Sequence, residues 1–465
     1  MIRLCFRLKA VMIAVLLVFA CVSCTNRQNE EHTVDATYEA SKEEMRKVYE
    51  EYEGKELLIG LWEGPRKHAM KTQEDADARY AEIREAGINM VYVYAELDDD
   101  GWLEKTIKAA EKNNIRLIID LSAVYANRDA FYEAVDKTKD SKAVIGYNIV
   151  DEPGHKLFGT LGNVRTKLKE HAGDDYLVFC NLFPNYAADY VLTDEPIEGM
   201  TKYQTYLELF VQKVKPDILH FDNYPYTGDK STDNARILKL IENLSDVRNA
   251  GAKYNIPIGG FLQSCRWGNY QNGNWSGTRL PNELEYRFDM NLHLVFGCKT
   301  VSNFLYWSRD GSDPGQRMPG HFEGLITYQG ERTPMYDIVR KQNTAIHAMK
   351  GVYLDYDHKA FMVVNFDEAF KKAISDNLIV ESYKEVSSVE SDGEFLIGCF
   401  ENDGKTGLYV MNFRKTEEDE SVLKIVLSQN KDYKVWGAEG LVQMGRNSEI
   451  SVSLLPSDAC FVEIG

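Results

Sequence analysis

Positive charge is scarce in this sequence. Fifty-four Lys and Arg stand against 72 Asp and Glu, a formal charge of −18 over 465 residues. With no basic excess to meet phosphates, a nucleic-acid partner is excluded. Of the eight cysteines, the five beyond residue 24 show neither CxxC nor Cys/His ligand spacing, so no metal site is expected. No glycine loop suited to cradling phosphate appears, no organic cofactor is implied, and low-complexity tracts are missing. The only sustained apolar run, Val11 to Ala20, is too short to span a bilayer.

That run belongs to a leader. Arg3, Arg7 and Lys9 precede it, and Phe19-Ala-Cys-Val-Ser-Cys-Thr-Asn26 follows. The pattern is that of a secretory signal ending in a bacterial lipobox-like stretch. Cys24 is the expected acylated residue and Cys21 the runner-up; an ordinary secretory peptide is the competing reading. Residues 1–23 are therefore expected to be removed, and 24–54 to form a lipidated cysteine, a polar tether and a helix from Glu39 to Glu53. The expected location is the cell envelope, on the periplasmic face or cell surface, with membrane contact through the lipid alone. Of the remaining cysteines, Cys180, Cys265, Cys298, Cys399 and Cys460, most fall in apolar runs, as buried free thiols would. Oligomeric state leaves no trace.

From residue 55 to 350, strands and helices alternate. Leu57–Trp62, Ile88–Tyr94, Ile115–Asp120, Ala143–Pro153, Tyr176–Asn181, Asp217–Asp222, Ile256–Gln263 and Cys298–Trp307 read as eight strands, each followed by a helix. Eight such units predict an α/β fold of the (β/α)8, or TIM-barrel, type. After Lys350 the pattern becomes short alternating runs separated by turns such as Asn402-Asp-Gly404, which predicts an antiparallel β-sandwich over 351–465.

Barrels of this type keep their sites at the C-terminal strand ends. Those ends are Trp62-Glu63, Glu96, Asp120, Asp151-Glu152, Asn181, Asp222-Asn-Tyr-Pro-Tyr226, Gln263 and Trp307. Carboxylates, amides and aromatics in one ring suit a sugar, whose hydroxyls need polar partners and whose apolar face stacks on rings. The loop after strand seven adds Trp267 and Trp275. The focal stretch is strand four, an apolar run ending in Asp151, Glu152 and Pro153. A plainer reading makes Asp151 the N-cap of a helix beginning near Gly154. For Asp222 the plainer reading is an acid capping the Tyr-Pro turn.

Tyr147-Asn-Ile-Val-Asp-Glu-Pro153, Asn181-Leu-Phe-Pro-Asn-Tyr186, Phe221-Asp-Asn-Tyr-Pro-Tyr226, Leu262-Gln263 and Val301-Ser-Asn-Phe-Leu-Tyr-Trp307 carry a resemblance. In order, they resemble the barrel of the retaining glycoside hydrolase superfamily whose fourth strand ends in Asn-Glu-Pro, and its Asp-Glu-Pro relatives. The resemblance implies a glycosidase with Glu152 as general acid/base and Asp151 either binding the hydroxyl next to the anomeric carbon or holding Glu152 by like-charge coupling. The ring of strand ends itself offers sugar contacts from Trp62, Glu96, Asp120, Asn181, Tyr224, Gln263, Trp267 and Trp307. The superfamily's nucleophile is a Glu at the end of strand seven, where this chain has Gln263. Three readings follow: inversion with Asp222, Asp120 or Glu96 as base; substrate assistance in which Asp151 orients an acetamido group; or a barrel that only binds glycan. Asp222 is the preferred second carboxylate.

Overall fold

The computed structural model describes residues 36–95, 101–272, 274–309, 320–416 and 419–465. The leader with Cys21 and Cys24, and also Glu96, lie outside the described residues. Residues 37–465 form one compact unit.

Eight parallel strands close a barrel: β1 (Leu58–Leu61), β2 (Met90–Tyr94), β3 (Arg116–Asp120), β4 (Val144–Asp151), β5 (Leu177–Leu182), β6 (Leu219–Asp222), β7 (Ile258–Gln263) and β8 (Thr300–Phe304), with β8 pairing β1. The period of two along each strand explains the closure. Ile59, Val91, Leu117, Ile119, Val178, Phe221 and Leu262 point outward under the helices and are fully buried there. The alternate positions fill the interior with Met90, Tyr92, Ile118, Phe179 and Phe261. Each such apolar side chain contributes roughly 1.5–3 kcal/mol on burial. Capping boxes start the covering helices Gln73–Glu85, Lys202–Val214 and Glu283–Val295, pairing Thr72 with Asp75, Thr201 with Gln204 and Asn282 with Glu285.

Strand four departs from simple alternation. Asn148 pairs with Phe179, but Asp151, three residues on, pairs with Asn181, only two residues on. This bulge turns Asp151 toward the axis, where strict alternation from Asn148 would have pointed it away. Glu152 then takes a left-handed backbone, φ 46°, which L-residues adopt only when their surroundings enforce it. The next helix begins at Phe158 with Leu157 as its N-cap, after a short turn of 3₁₀ helix over His155–Leu157. Asp151 caps nothing there, so the capping alternative is discarded.

The C-terminal domain is one antiparallel sheet of eight strands folded on itself. Strands Ser421–Gly437 and Gly440–Leu454 are long, and their pairing shifts register between Val426 and Lys431. The shift interrupts the alternation of the first of them, so its sequence pattern reads as two short runs, Ser421–Leu427 and Tyr433–Trp436. One face encloses Met362, Phe395, Ile397, Leu408, Ile425, Val435 and Val462. The other carries Phe361, Phe400, Tyr409 and Phe461 into the barrel's core. Its eighth strand comes from the other end of the chain: Tyr38–Glu39 pairs with Arg446 and Gly445. The helix after it runs over Lys42–Glu51, shorter than expected. Tyr49 and Tyr52 then cover the fully buried Trp436. The five described cysteines are buried and free.

A second feature unforeseen in the sequence is a three-stranded sheet over the barrel mouth, formed by Arg266–Gln271, Asn274–Gly277 and His321–Glu323. Trp267 and Phe322 share its inner face, because they are directly paired.

Candidate active site

Three acids converge at the C-terminal mouth. Asn181, at the end of β5, donates from one side-chain nitrogen to Asp151 Oδ1 and to Asp222 Oδ2, each at 3.0 Å. Two oxygens bound to one nitrogen are no farther apart than twice that distance, so β4 and β6 deliver their acids to one point. The Glu152 backbone N–H bonds to the Asn181 carbonyl at 2.9 Å, fixing the third acid beside them.

Like charges this close raise one another's affinity for protons. Glu152 is raised to about 7, first by burial and then by the charge of Asp151. Asp222 is 8% exposed, and its carboxyl sits well above the usual range, because of burial and then Glu152 and Asp151. Asp151 is raised to about 7, first by burial and also by the charge of Asp120, against the lowering effect of Asn181. Solvent reaches the Asp151 side chain from the open mouth, which moderates its rise. Among the described residues no cation pairs with the trio directly; the group holds protons at neutral pH and titrates as a unit.

Two tyrosines stand over the acids. Tyr224 packs edge-on to Trp267, ring centroids 5.1 Å apart, and against Phe304. Tyr186, on the loop after β5, keeps its ring open to solvent while its hydroxyl turns inward to the Tyr224 N–H. Burial, then Asp222, and also Glu152, push that phenol up to about 12. Asn243 registers this loop on the next: its Oδ1 accepts from Asn185 N at 2.9 Å and from Asn223 Nδ2 at 3.1 Å.

Several expected sugar contacts take other roles. Gln263 is fully buried, with both ends of its amide committed. Oε1 accepts from Tyr226 N at 2.9 Å, while Nε2 donates to the carbonyls of Tyr226 and Arg279, also at 2.9 Å. It clamps two loops and does not face the bowl. Asp120, 1% exposed, accepts from Asn148 Nδ2 at 2.6 Å and from Ser122 N at 3.1 Å, which removes it as a base. Trp62 forms the floor, packed against Tyr92, Tyr94 and Phe261. Trp307 is fully buried under the Arg79 guanidinium, 5.3 Å from its ring, so no sugar can stack on it. Glu63 is spent in a buried ion pair with Arg309 and Arg66. Trp275 is engaged with Arg266, 4.5 Å from its ring.

Of the expected residues, the structure therefore brings together Asp151, Glu152, Asp222, Asn181, Tyr224 and Trp267. Sequence reasoning passed over Tyr186, Asn148 and His220. For the last two the signal was available: alternation from Asp222 puts His220 inside the barrel, and Asn148 is the lone amide in an apolar strand.

Solved structures of similar fold are glycoside hydrolases. A β-galactosidase from Bacillus circulans sp. alkalophilus matches with a TM-score of 0.56 and 10% identity, over 90% of this chain and 100% of that one. A GH42 β-galactosidase from G. stearothermophilus gives 0.54 and 8%, over 89% and 98%. A glycoside hydrolase family 5 protein from Bacteroides vulgatus ATCC 8482 gives 0.52 and 12%, over 88% and 89%. No family model and no curated protein matches the chain. At such identities the likeness defines the architecture: a TIM barrel with a C-terminal antiparallel sheet domain, as in glycoside hydrolases.

Proposed function

We propose that this protein hydrolyses O-glycosidic bonds in an oligo- or polysaccharide, with Glu152 as general acid. The observation that carries this reading is the cluster of Asp151, Glu152 and Asp222 at the barrel mouth, with Glu152 raised to about 7. A glycosidic oxygen leaves poorly without a proton, and a carboxyl poised near neutrality delivers one. The competent form has its proton on Glu152 and its charge on Asp222 and Asp151, both of which receive an N–H from Asn181.

Asp222 is the preferred partner, acting as base on a water at the far face of the sugar. Its strand lies two spacings from β4, about 9.6 Å between backbones. Carboxyls reaching inward from there can flank a water, as inversion requires at roughly 6.5–9.5 Å. Asp151 takes the hydroxyl beside the anomeric carbon, and Tyr186, Tyr224 and Trp267 wall the sugar's apolar face. Retention through strand seven is closed, because Gln263 is neutral and its amide is committed to backbone.

The test is a glycan panel assayed for released reducing ends. Wild type is expected to release them, and Glu152→Gln to be slower by about 10²-fold or more. NMR of the nascent product should show an inverted anomer; retention would refute the role of Asp222. Binding without release in both proteins would make the chain a glycan-binding lipoprotein. We also propose acylation of Cys24 and anchoring in the cell envelope. Palmitate labelling should vanish in Cys24→Ser, and labelling that persists would move the anchor to Cys21.

A further inference from the structure

Beneath the acids runs a ladder of hydrogen bonds that reaches Asn181 from both sides. Asp120 Oδ2 accepts from Asn148 Nδ2 at 2.6 Å, and Asn148 Oδ1 accepts from the Asn181 backbone N–H at 3.1 Å. On its other side, Asn181 Oδ1 meets His220 Nδ1 at 3.0 Å. A carbonyl oxygen only accepts, so His220 carries its hydrogen on Nδ1. Its Nε2 is buried without a partner. A second hydrogen there would be an unpaired buried donor, so the imidazole is neutral. In agreement, burial, and then His293, push His220 down to about 3.

The ring itself has no freedom. His220 is 1% exposed and packs against Phe261, 4.8 Å between centroids, and Phe179. Gly259 makes the space: a Cβ there would lie 2.9 Å from His220 Cδ2. The orientation of Asn181 follows. Were its amide reversed, a carbonyl oxygen would sit 3.0 Å from two carboxyl oxygens, each of which would then need its own proton.

We propose that His220 is a positioning residue: it holds Asn181 with its N–H edge toward Asp151 and Asp222, and so assigns the cluster's proton to Glu152. Donation from Asn181 favours the ionised form of the two oxygens it touches. Among the described residues no side chain hydrogen-bonds the Glu152 carboxyl, so no comparable donor favours its charge. The phenols about the cluster stay protonated while this proton moves. Tyr92 below and Tyr186 and Tyr224 above are raised phenols that stay neutral. Asp120 is held by Asn148. Behind the wall His293 faces Asp289 at 3.3 Å. The catalytic meaning of the assignment rests on the hydrolytic reading; the assignment itself does not.

His220→Phe keeps the ring volume and removes the donor; His220→Asn retains a donor near the place of Nδ1. The Glu152 carboxyl can be followed by ¹³C NMR of δ-labelled glutamate, assigned by difference against Glu152→Gln. In wild type its midpoint is expected near 7. In His220→Phe the amide turns, a proton moves to Asp151 or Asp222, and the Glu152 midpoint should fall by about one unit or more. His220→Asn should restore it. If a panel glycan is cleaved, the alkaline limb of the pH–rate profile should fall by the same amount, with KM little changed. An unmoved Glu152 midpoint in a folded His220→Phe protein overturns the proposal. Should that variant not fold, Asn181→Ser removes the same donors and carries the same expected fall. A shifted midpoint with no glycan cleaved by any form would leave the positioning role standing and sink the hydrolytic reading instead.

Discussion

The carboxyl cluster should make the wild-type protein less stable than its own inactive variant, in a defined pH window. Glu152 is raised from 4.5 to about 7 in the folded protein. Below pH 4.5 the group is protonated in both the folded and the unfolded chain and contributes nothing. Between 4.5 and 7 the folded state keeps a proton that the unfolded chain releases, so stability declines as pH rises. Above 7 the full cost is present. At about 1.4 kcal/mol per unit, the shift corresponds to an upper bound of about 3 kcal/mol. Partial exposure and proton sharing with Asp151 and Asp222 reduce this, and about 1–2 kcal/mol is the expected size.

Glu152→Gln removes the charge while keeping the shape. It should therefore unfold later than wild type at pH 8, by about 1–2 kcal/mol, and match it at pH 4. The left-handed backbone at residue 152 remains in both proteins, so it cancels in the comparison. Denaturant titrations of the two proteins at several pH values from 4 to 8.5 measure the difference directly. A variant less stable than wild type at pH 8, or a difference that does not change with pH, would refute the account of the site as a strained cluster of acids.

The other consequences are quickly stated. Gln263→Glu should not create a retaining enzyme; its new oxygen would face the carbonyls of Tyr226 and Arg279, so a loss of about 3 kcal/mol or more is expected by thermal unfolding. Trp267→Ala removes the ring that backs Tyr224 and should raise KM about tenfold while leaving kcat within a few-fold; an unchanged KM would take Trp267 out of the sugar wall. Asp222→Asn should lower kcat by about 10²–10⁴-fold. Because it removes a buried acid held well above its usual range, it should also raise stability at neutral pH.

The barrel was legible in the sequence because a parallel strand covered on both faces writes an almost continuous apolar run, and eight such runs recur between helices. The position of the acids followed from the same fact, since Asp151, Glu152 and Asp222 each stand where a run stops. What the sequence did not carry was direction. Trp62, Asp120, Gln263 and Trp307 all end strands, yet they point to the floor, to a neighbouring amide, to loop backbone and to the outer core. Those fates depend on partners distant in the chain: Asn148 for Asp120, Arg279 for Gln263, Arg79 for Trp307. The bulge in strand four was equally hidden. It is visible only as a mismatch of three residues against two between Asn148–Asp151 and Phe179–Asn181.

That bulge is also the step on which the site depends. Without it Asp151 would face the helices, and Asn181 would have a single acid, Asp222, to serve. With it, one amide nitrogen binds two carboxylates, and the third acid is left in a left-handed backbone with no side-chain donor among the described residues to favour its charge. The backbone irregularity and the proton on Glu152 therefore have one origin, strand four set out of phase with strand five. Asp151→Asn removes the charge that the bulge turns inward. The measurement is the Glu152 midpoint, which should drop below 7 once that neighbouring charge is gone; a midpoint still near 7 in the folded variant would show that burial alone sustains it.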